Sequence, residues 1–240
     1  MSEPVVSLSD VSLGFGDVTI VDGLTTAFQP GQVVALVGPN GSGKTTLLEL
    51  LAGLRRPDSG SVERRAAERD AAYLPQSPSF RAGFSARETL RFYTELAGSG
   101  DDPAGYLEQV GLADAADRRV EALSGGMTRL LGIAQALIGD PPLVVLDEPT
   151  SGLDPGAADR VFAAAADITT ERRAVVIASH DLVAVEREAD RVVVLAGGSV
   201  VLDGPPAALL DRTGAASLRA VLGSLTAGDG DAPLSEVVHE

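Results

Sequence analysis

Gly38-Pro39-Asn40-Gly41-Ser42-Gly43-Lys44-Thr45-Thr46 fits the P-loop pattern G-x-x-x-x-G-K-[ST] without a mismatch. The apolar run Val33–Val37 leads into it and reads as a buried strand; Leu47-Leu48-Glu49-Leu50-Leu51 leads out on a helical pattern. That strand–loop–helix context turns a pattern into a structural expectation. Glycines let the backbone wrap phosphate oxygens with its amide N–H groups turned inward, and the helix adds its positive end. Lys44 then reaches the β- and γ-phosphates, and the Thr45 hydroxyl is placed to hold Mg²⁺. Lys44 is the single lysine among 19 Lys and Arg residues. A planar guanidinium could not replace a compact ammonium in a tight phosphate cradle without moving the backbone.

The remaining composition bounds the possibilities. A chain of 240 residues suits one large domain with a lobe, and 45% hydrophobic residues suffice for a sizeable core. No apolar run approaches the roughly 18–20 residues that span a bilayer, and Met1-Ser2-Glu3-Pro4 lacks the features of a signal peptide. A soluble, cytoplasmic protein is expected. There is no cysteine, and the net charge of −15 disfavours general binding to nucleic acid or anionic lipid.

Before the P-loop, Val5–Leu13, Val18–Val21 and Leu24–Phe28 read as short strands with turns at Asp22-Gly23 and Pro30-Gly31, an antiparallel portion beside the core. Phe15, between Gly14 and Gly16, suits either a core position or a face for an adenine ring. Beyond it, Ser61–Asp70 reads as solvated hairpin surface, and Ala71–Leu74 as a short strand closed by Pro75-Gln76. Ser85-Ala86-Arg87-Glu88 fits a capping box and opens a helical stretch. Residues 77–123 form a helical lobe inserted into the α/β core; the helix read over Thr128–Ile138 extends this subdomain to about 140. Ser124-Gly125-Gly126 before that helix is either a second anion site or an ordinary turn.

Leu143-Val144-Val145-Leu146 is a buried parallel strand ending in Asp147 and Glu148. Ligands of open α/β sheets lie at strand carboxyl ends, and paired carboxylates there are costly without a cation or proton. Asp147 suits a Mg²⁺ ligand, and Glu148 a base that orients or deprotonates water. Asp154-Pro155 caps and opens a helix to about Thr170. A lone histidine is more often structural, yet His180 follows the strand Ala174–Ala178 directly, at the same sheet edge as Glu148, where it suits a γ-phosphate contact. From Gly223 a flexible tail is expected.

Taken together, these residues resemble the ATP-binding subunits of ABC (ATP-binding cassette) transporters, with motifs in family order over residues 1–222. Gly38–Thr46 looks like Walker A, Gln76 like the Q-loop glutamine, and Leu123–Met127 like the signature Leu-Ser-Gly-Gly-Gln with Met for Gln. Leu143–Glu148 looks like Walker B with its catalytic glutamate, Ser151–Asp154 like the D-loop, His180 like the switch histidine, and Phe15 like the adenine-stacking aromatic.

The resemblance implies an α/β fold: a P-loop NTPase core with a mainly parallel sheet, an antiparallel β subdomain and an inserted helical subdomain. It implies ATP and Mg²⁺ as cofactors, with Glu148, His180 and Lys44 catalytic. ATP contacts are implied at Phe15, Gly38, Pro39, Asn40, Gly41, Ser42, Gly43, Lys44, Thr45, Thr46, Gln76 and His180, and metal contacts at Thr45, Gln76 and Asp147. Ser124, Gly125, Gly126, Met127 and Asp154 would reach ATP bound to a second, identical or different, ABC subunit. Separate transmembrane permease subunits would hold the pair on the inner face of the membrane; no nucleic acid is expected. The run Ser124–Leu137 is similar to the ABC-2 branch, mostly exporters. A soluble ABC-type ATPase, in Fe–S assembly for example, is the alternative; a nucleotide-binding module without turnover fits poorly with an intact Glu148 and His180.

Overall fold

The computed structural model describes residues 3–67 and 69–227. Two sheets organise it. Strands β1 (Val6–Phe15), β2 (Val18–Phe28) and β4 (Ser59–Arg64) form an antiparallel sheet in the order β2-β1-β4. Strands β3 (Val33–Val37), β5 (Ala72–Leu74), β6 (Leu143–Asp147), β7 (Ala174–Ala178), β8 (Arg191–Ala196) and β9 (Ser199–Gly204) form the other, in the order β5-β6-β7-β3-β8-β9. Its pairs are parallel except the β8–β9 hairpin.

Every residue of β3, β6 and β7 is buried, as expected of parallel strands covered on both faces. On one face, Val34, Leu36, Val145 and Val176 pack with the leucines of helix α1 (Lys44–Leu51) and with Leu8, Leu24 and Phe28 of the antiparallel sheet. The P-loop helix therefore lies between two apolar layers. On the other face, Ala35, Val37, Leu146 and Ile177 pack against the helical lobe. The lobe comprises α2 (Ala86–Ala97), α3 (Pro103–Gln109), two short 3-10 turns and α4 (Gly125–Ala136), all inserted between β5 and β6. Helices α5 (Pro155–Asp167), α6 (Leu182–Glu188), α7 (Pro206–Thr213) and α8 (Leu218–Ala227) complete the described chain. Local capping signals work as the residue types dictate. Ser85 and Glu88 make a reciprocal capping box, and the Asp154 carboxylate accepts the Ala157 amide at 2.9 Å to start α5.

Three sequence expectations need correction. Asp22-Gly23 is not a turn: β2 runs through it unbroken, because β1 compensates with a bulge at Asp10, whose φ is +51°. The Asp10 amide bonds Thr25 Oγ1 and the Gly23 amide bonds Ser12 Oγ, so the irregular stretch stays in the ladder. Nor is Ser61–Asp70 only solvated surface. Arg64 donates to the carbonyls of Leu50 and Leu51, satisfying the C-terminal end of α1, and Arg69 donates to Ile138 O. Finally, residues 223–227 are helical in α8; the rest of the expected tail, 228–240, lies outside the described residues.

Arg173 closes the lower edge of the sheet. Its side chain is buried and donates to Pro141 O, Ile168 O and the Asp140 carboxylate, joining the entry to β6, the end of α5 and the entry to β7. Arg173→Ala strands these acceptors. It is expected to lower stability by about 3 kcal/mol, read by urea unfolding; an unchanged midpoint would remove the tie assigned to it.

Candidate nucleotide-binding site

The P-loop is shaped by contacts that admit no side chain. Gly38 follows β3, and a Cβ there would stand 2.2 Å from the Leu195 carbonyl oxygen at the end of β8. A Cβ on Gly43 (φ +95°) would stand 2.8 Å from the Ile20 carbonyl of β2. The loop is thus clamped between strands of both sheets before α1 begins. Lys44, the first residue of α1, is buried, and its ammonium donates to Gly38 O at 2.9 Å and Pro39 O at 3.0 Å. Burial lowers its pKa, while Glu148 and Asp147 pull it back up. Ser42 Oγ is buried without a protein hydrogen-bond partner.

Beside the loop stand the ends of β6 and β7. Asp147 is buried; Thr45 Oγ1 lies 3.4 Å from its Oδ1, and Tyr73 of β5 donates its hydroxyl to Oδ2 at 3.0 Å. Glu148 takes φ +47°, a left-handed conformation that costs a non-glycine residue on the order of 1–3 kcal/mol. Its amide bonds Ala178 O of β7 at 3.1 Å, which turns the chain across the sheet edge. Glu148 Oε1 is buried 3.0 Å from His180 Nε2, without the alignment of a hydrogen bond. Burial raises the Glu148 pKa, opposed by His180 and Lys44 and reinforced by Asp147. Gln76 Nε2 donates to Ser151 Oγ at 3.2 Å.

These groups converge on a cleft of about 380 Å³, lined by Asn40, Gly41, Gly43, Lys44, Thr45, Thr46, Gln76, Glu148 and His180 together with Ile20 and Ser151. Gly38, Pro39, Ser42 and Asp147 are not among its lining residues. Among the described residues Glu148 is the one carboxylate in the lining. The Thr45 hydroxyl and the Asp147 carboxylate fit a small hard cation. Among the described residues no group of three or more His, Cys, Asp or Glu forms a metal cage. Such a sparse donor set suits Mg²⁺, which is usually held by one or two protein carboxylates together with phosphates and water.

Other sequence candidates lie apart. Phe15 ends β1 at a hairpin tip, half exposed, with the Arg55 guanidinium 4.9 Å from its ring centroid. It does not line the cleft. Neither do Ser124, Gly125, Gly126, Met127 and Asp154. Helix α4 starts at Gly125 rather than Thr128, with Ser124 as its cap, so both glycines lie in its first turn. A Cβ on Gly126 would stand 3.0 Å from that of Ala157, which explains a glycine where α4 crosses α5. Met127 packs against the helical-lobe core, and the Asp154 carboxylate is engaged as the cap of α5. Sequence reasoning missed Ile20 and Tyr73. Neither carries a local signal: Ile20 reaches the site because β2 lies against Gly43 of the loop, and Tyr73 because β5 pairs with β6.

Comparison with known proteins agrees with this geometry. A family model described as ABC transporter matches residues 21–151. The chain is 34% identical over 221 residues to a Nod factor export ATP-binding protein I of Rhizobium etli, covering 86% of this chain and 70% of that protein. The counterpart in Bradyrhizobium diazoefficiens is 35% identical over 226 residues, covering 88% and 74%. A solved ATP-binding subunit of an ABC transporter superposes with TM-score 0.79 at 26% identity, over 92% of this chain and 99% of that one. The fold also matches cbiO1 of Clostridium perfringens, with TM-score 0.76 at 23% identity, over 88% of this chain and 92% of that one. The P-loop cradle, the acidic strand end beside it and these likenesses lead to one assignment: the chain belongs to the ABC transporter family, as one of its ATP-binding, ATP-hydrolysing subunits.

Proposed function

We propose that this chain is one of two cassettes that sandwich two ATP molecules head to tail and drive an exporter of the ABC-2 type. The observation that carries the reading is a division of labour. Lys44, Thr45, Gln76, Glu148 and His180 line one cleft, while Ser124 and Gly125, exposed at the start of α4, lie outside it. A helix N-terminus with free amides is an anion site that wants an occupant, and a second subunit's γ-phosphate is one.

Within the cleft, Lys44 and the loop amides hold the phosphates, and the glycines permit the approach. Glu148 takes a proton from the attacking water. Its raised pKa brings the carboxylate closer to working pH, where a general base is most effective. His180, 3.0 Å from Glu148, would contact the γ-phosphate and keep the base in place. Thr45 and Asp147, with Gln76 lining the same cleft as Thr45, would hold Mg²⁺, which would supply positive charge against the phosphates. Phe15 would stack on adenine, backed by Arg55. ATP then favours the closed pair by its differential affinity for it, and hydrolysis releases it.

Relatives named for Nod factor export support the export direction. The cbiO1 structure is described as part of a complex, cbiONQ, which supports membrane partners. Among the described residues no helix is long and apolar enough to cross a membrane. Permease subunits would hold the pair at the inner face of the membrane.

The test is the dependence of ATP turnover on protein concentration. The specific rate should rise with concentration and then saturate, as two copies pair. A specific rate that stayed constant at high dilution, with the protein monomeric, would overturn the shared-site reading.

A further inference from the structure

Tyr73 does not line the cleft, yet its hydroxyl is 3.0 Å from Asp147. In the parallel β5–β6 pair Tyr73 stands opposite Val145, so the period of two puts Tyr73, Val145 and Asp147 on one face of the sheet. The ring packs beside Val145 and the leucines of α1. Phenylalanine would pack as well; only the hydroxyl reaches the carboxylate. Asp147 thereby receives one donor on each oxygen: Tyr73 on Oδ2, and Thr45, at a looser 3.4 Å, on Oδ1.

We propose that Tyr73 is a positioning residue for the metal site. Its hydroxyl fixes the Asp147 carboxylate by Oδ2 and so keeps Oδ1 turned toward Thr45 and the nucleotide. This rests on the reading of Thr45 and Asp147 as the Mg²⁺ ligands. A carboxylate that binds a cation through one oxygen can rotate unless the other oxygen is held, and hydrogen bonds to ligating carboxylates commonly govern metal affinity. The phenol is suited to the task. A free phenol gives up its proton only at about pH 10, so the hydroxyl is a donor at working pH. The idea predicts a selective defect: weaker metal binding with intact nucleotide binding.

The experiment uses Tyr73→Phe in the full chain, with Mn²⁺ as the probe. Free Mn²⁺ is followed by electron paramagnetic resonance in the presence of ADP, and ADP affinity is measured separately in EDTA. The Mn²⁺ dissociation constant should rise about tenfold, with ADP affinity in EDTA unchanged within about twofold and the melting temperature kept. In an Asp147→Asn background, Tyr73→Phe should weaken Mn²⁺ no further, because the two residues act as one unit. Unchanged Mn²⁺ affinity would overturn the proposal. So would equal losses with and without metal, additive losses in the Asp147→Asn background, or loss of the fold, each of which marks a packing role. A wild-type protein that bound no Mn²⁺ with ADP would instead overturn the underlying assignment of the metal site, and this proposal with it.

Discussion

Glu148→Gln is expected to bind ATP, to lose turnover by about 10²–10⁴-fold, and to accumulate as an ATP-bound dimer. Among the described residues Glu148 is the one carboxylate lining the cleft, and His180, the other titratable base there, is assigned to the γ-phosphate, so turnover depends on Glu148. Glutamine keeps the shape and the backbone contact to Ala178, but it cannot accept the proton. Phosphate release measures the first effect and light scattering with ATP the second. Hydrolysis at the parent rate would show that another group is the base.

The same substitution bears on stability. Burial raises the Glu148 pKa, so the ionised carboxylate is penalised in the folded chain. The penalty is present above the raised folded value and absent below the ordinary value of 4.5. Glu148→Gln should therefore melt above the parent at pH 7.5. The margin should narrow as the pH falls through that window.

Lys44→Ala should weaken nucleotide binding by about 100-fold, the worth of a desolvated charge-assisted bond or two. The ammonium is buried among the loop carbonyls, and no other lysine exists in the chain. Lys44→Arg should fail comparably. The loop cannot widen to admit a guanidinium, because Gly38 already lies against the Leu195 carbonyl and Gly43 against that of Ile20. Titration calorimetry decides it, and an unaltered ATP affinity in either variant would contradict the cradle.

Much of this was legible in the residues. The P-loop, its strand and its helix are readable because each signal acts within a few positions: an apolar run, glycines, a helical period. The caps Ser85 and Asp154 and the acids ending β6 are local in the same sense. Errors arose where a distant partner overrode a local signal. Asp22-Gly23 would be a turn in isolation, but the bulge at Asp10 in β1 keeps it in the ladder. Gly125 and Gly126 are poor helix residues, yet the Ser124 cap and the close approach of α5 put them in the first turn of α4. Arg64 and Arg69 look like surface charge until the ends of α1 and α4 are brought to them.

The chain chemistry marked the groups suited to phosphate, metal and proton, since a loop of glycines, one lysine and two acids after an apolar run have few other uses. It could not show that the Tyr73 hydroxyl meets Asp147, that Glu148 is bent into a left-handed turn beside His180, or that Ser124 lies outside the cleft lining. Those facts follow from the order β5-β6-β7-β3-β8-β9, in which spatial neighbours are far apart in the chain. Sheet order comes from burying both faces of β3, β6 and β7 at once, a property of the whole packed core rather than of any short stretch.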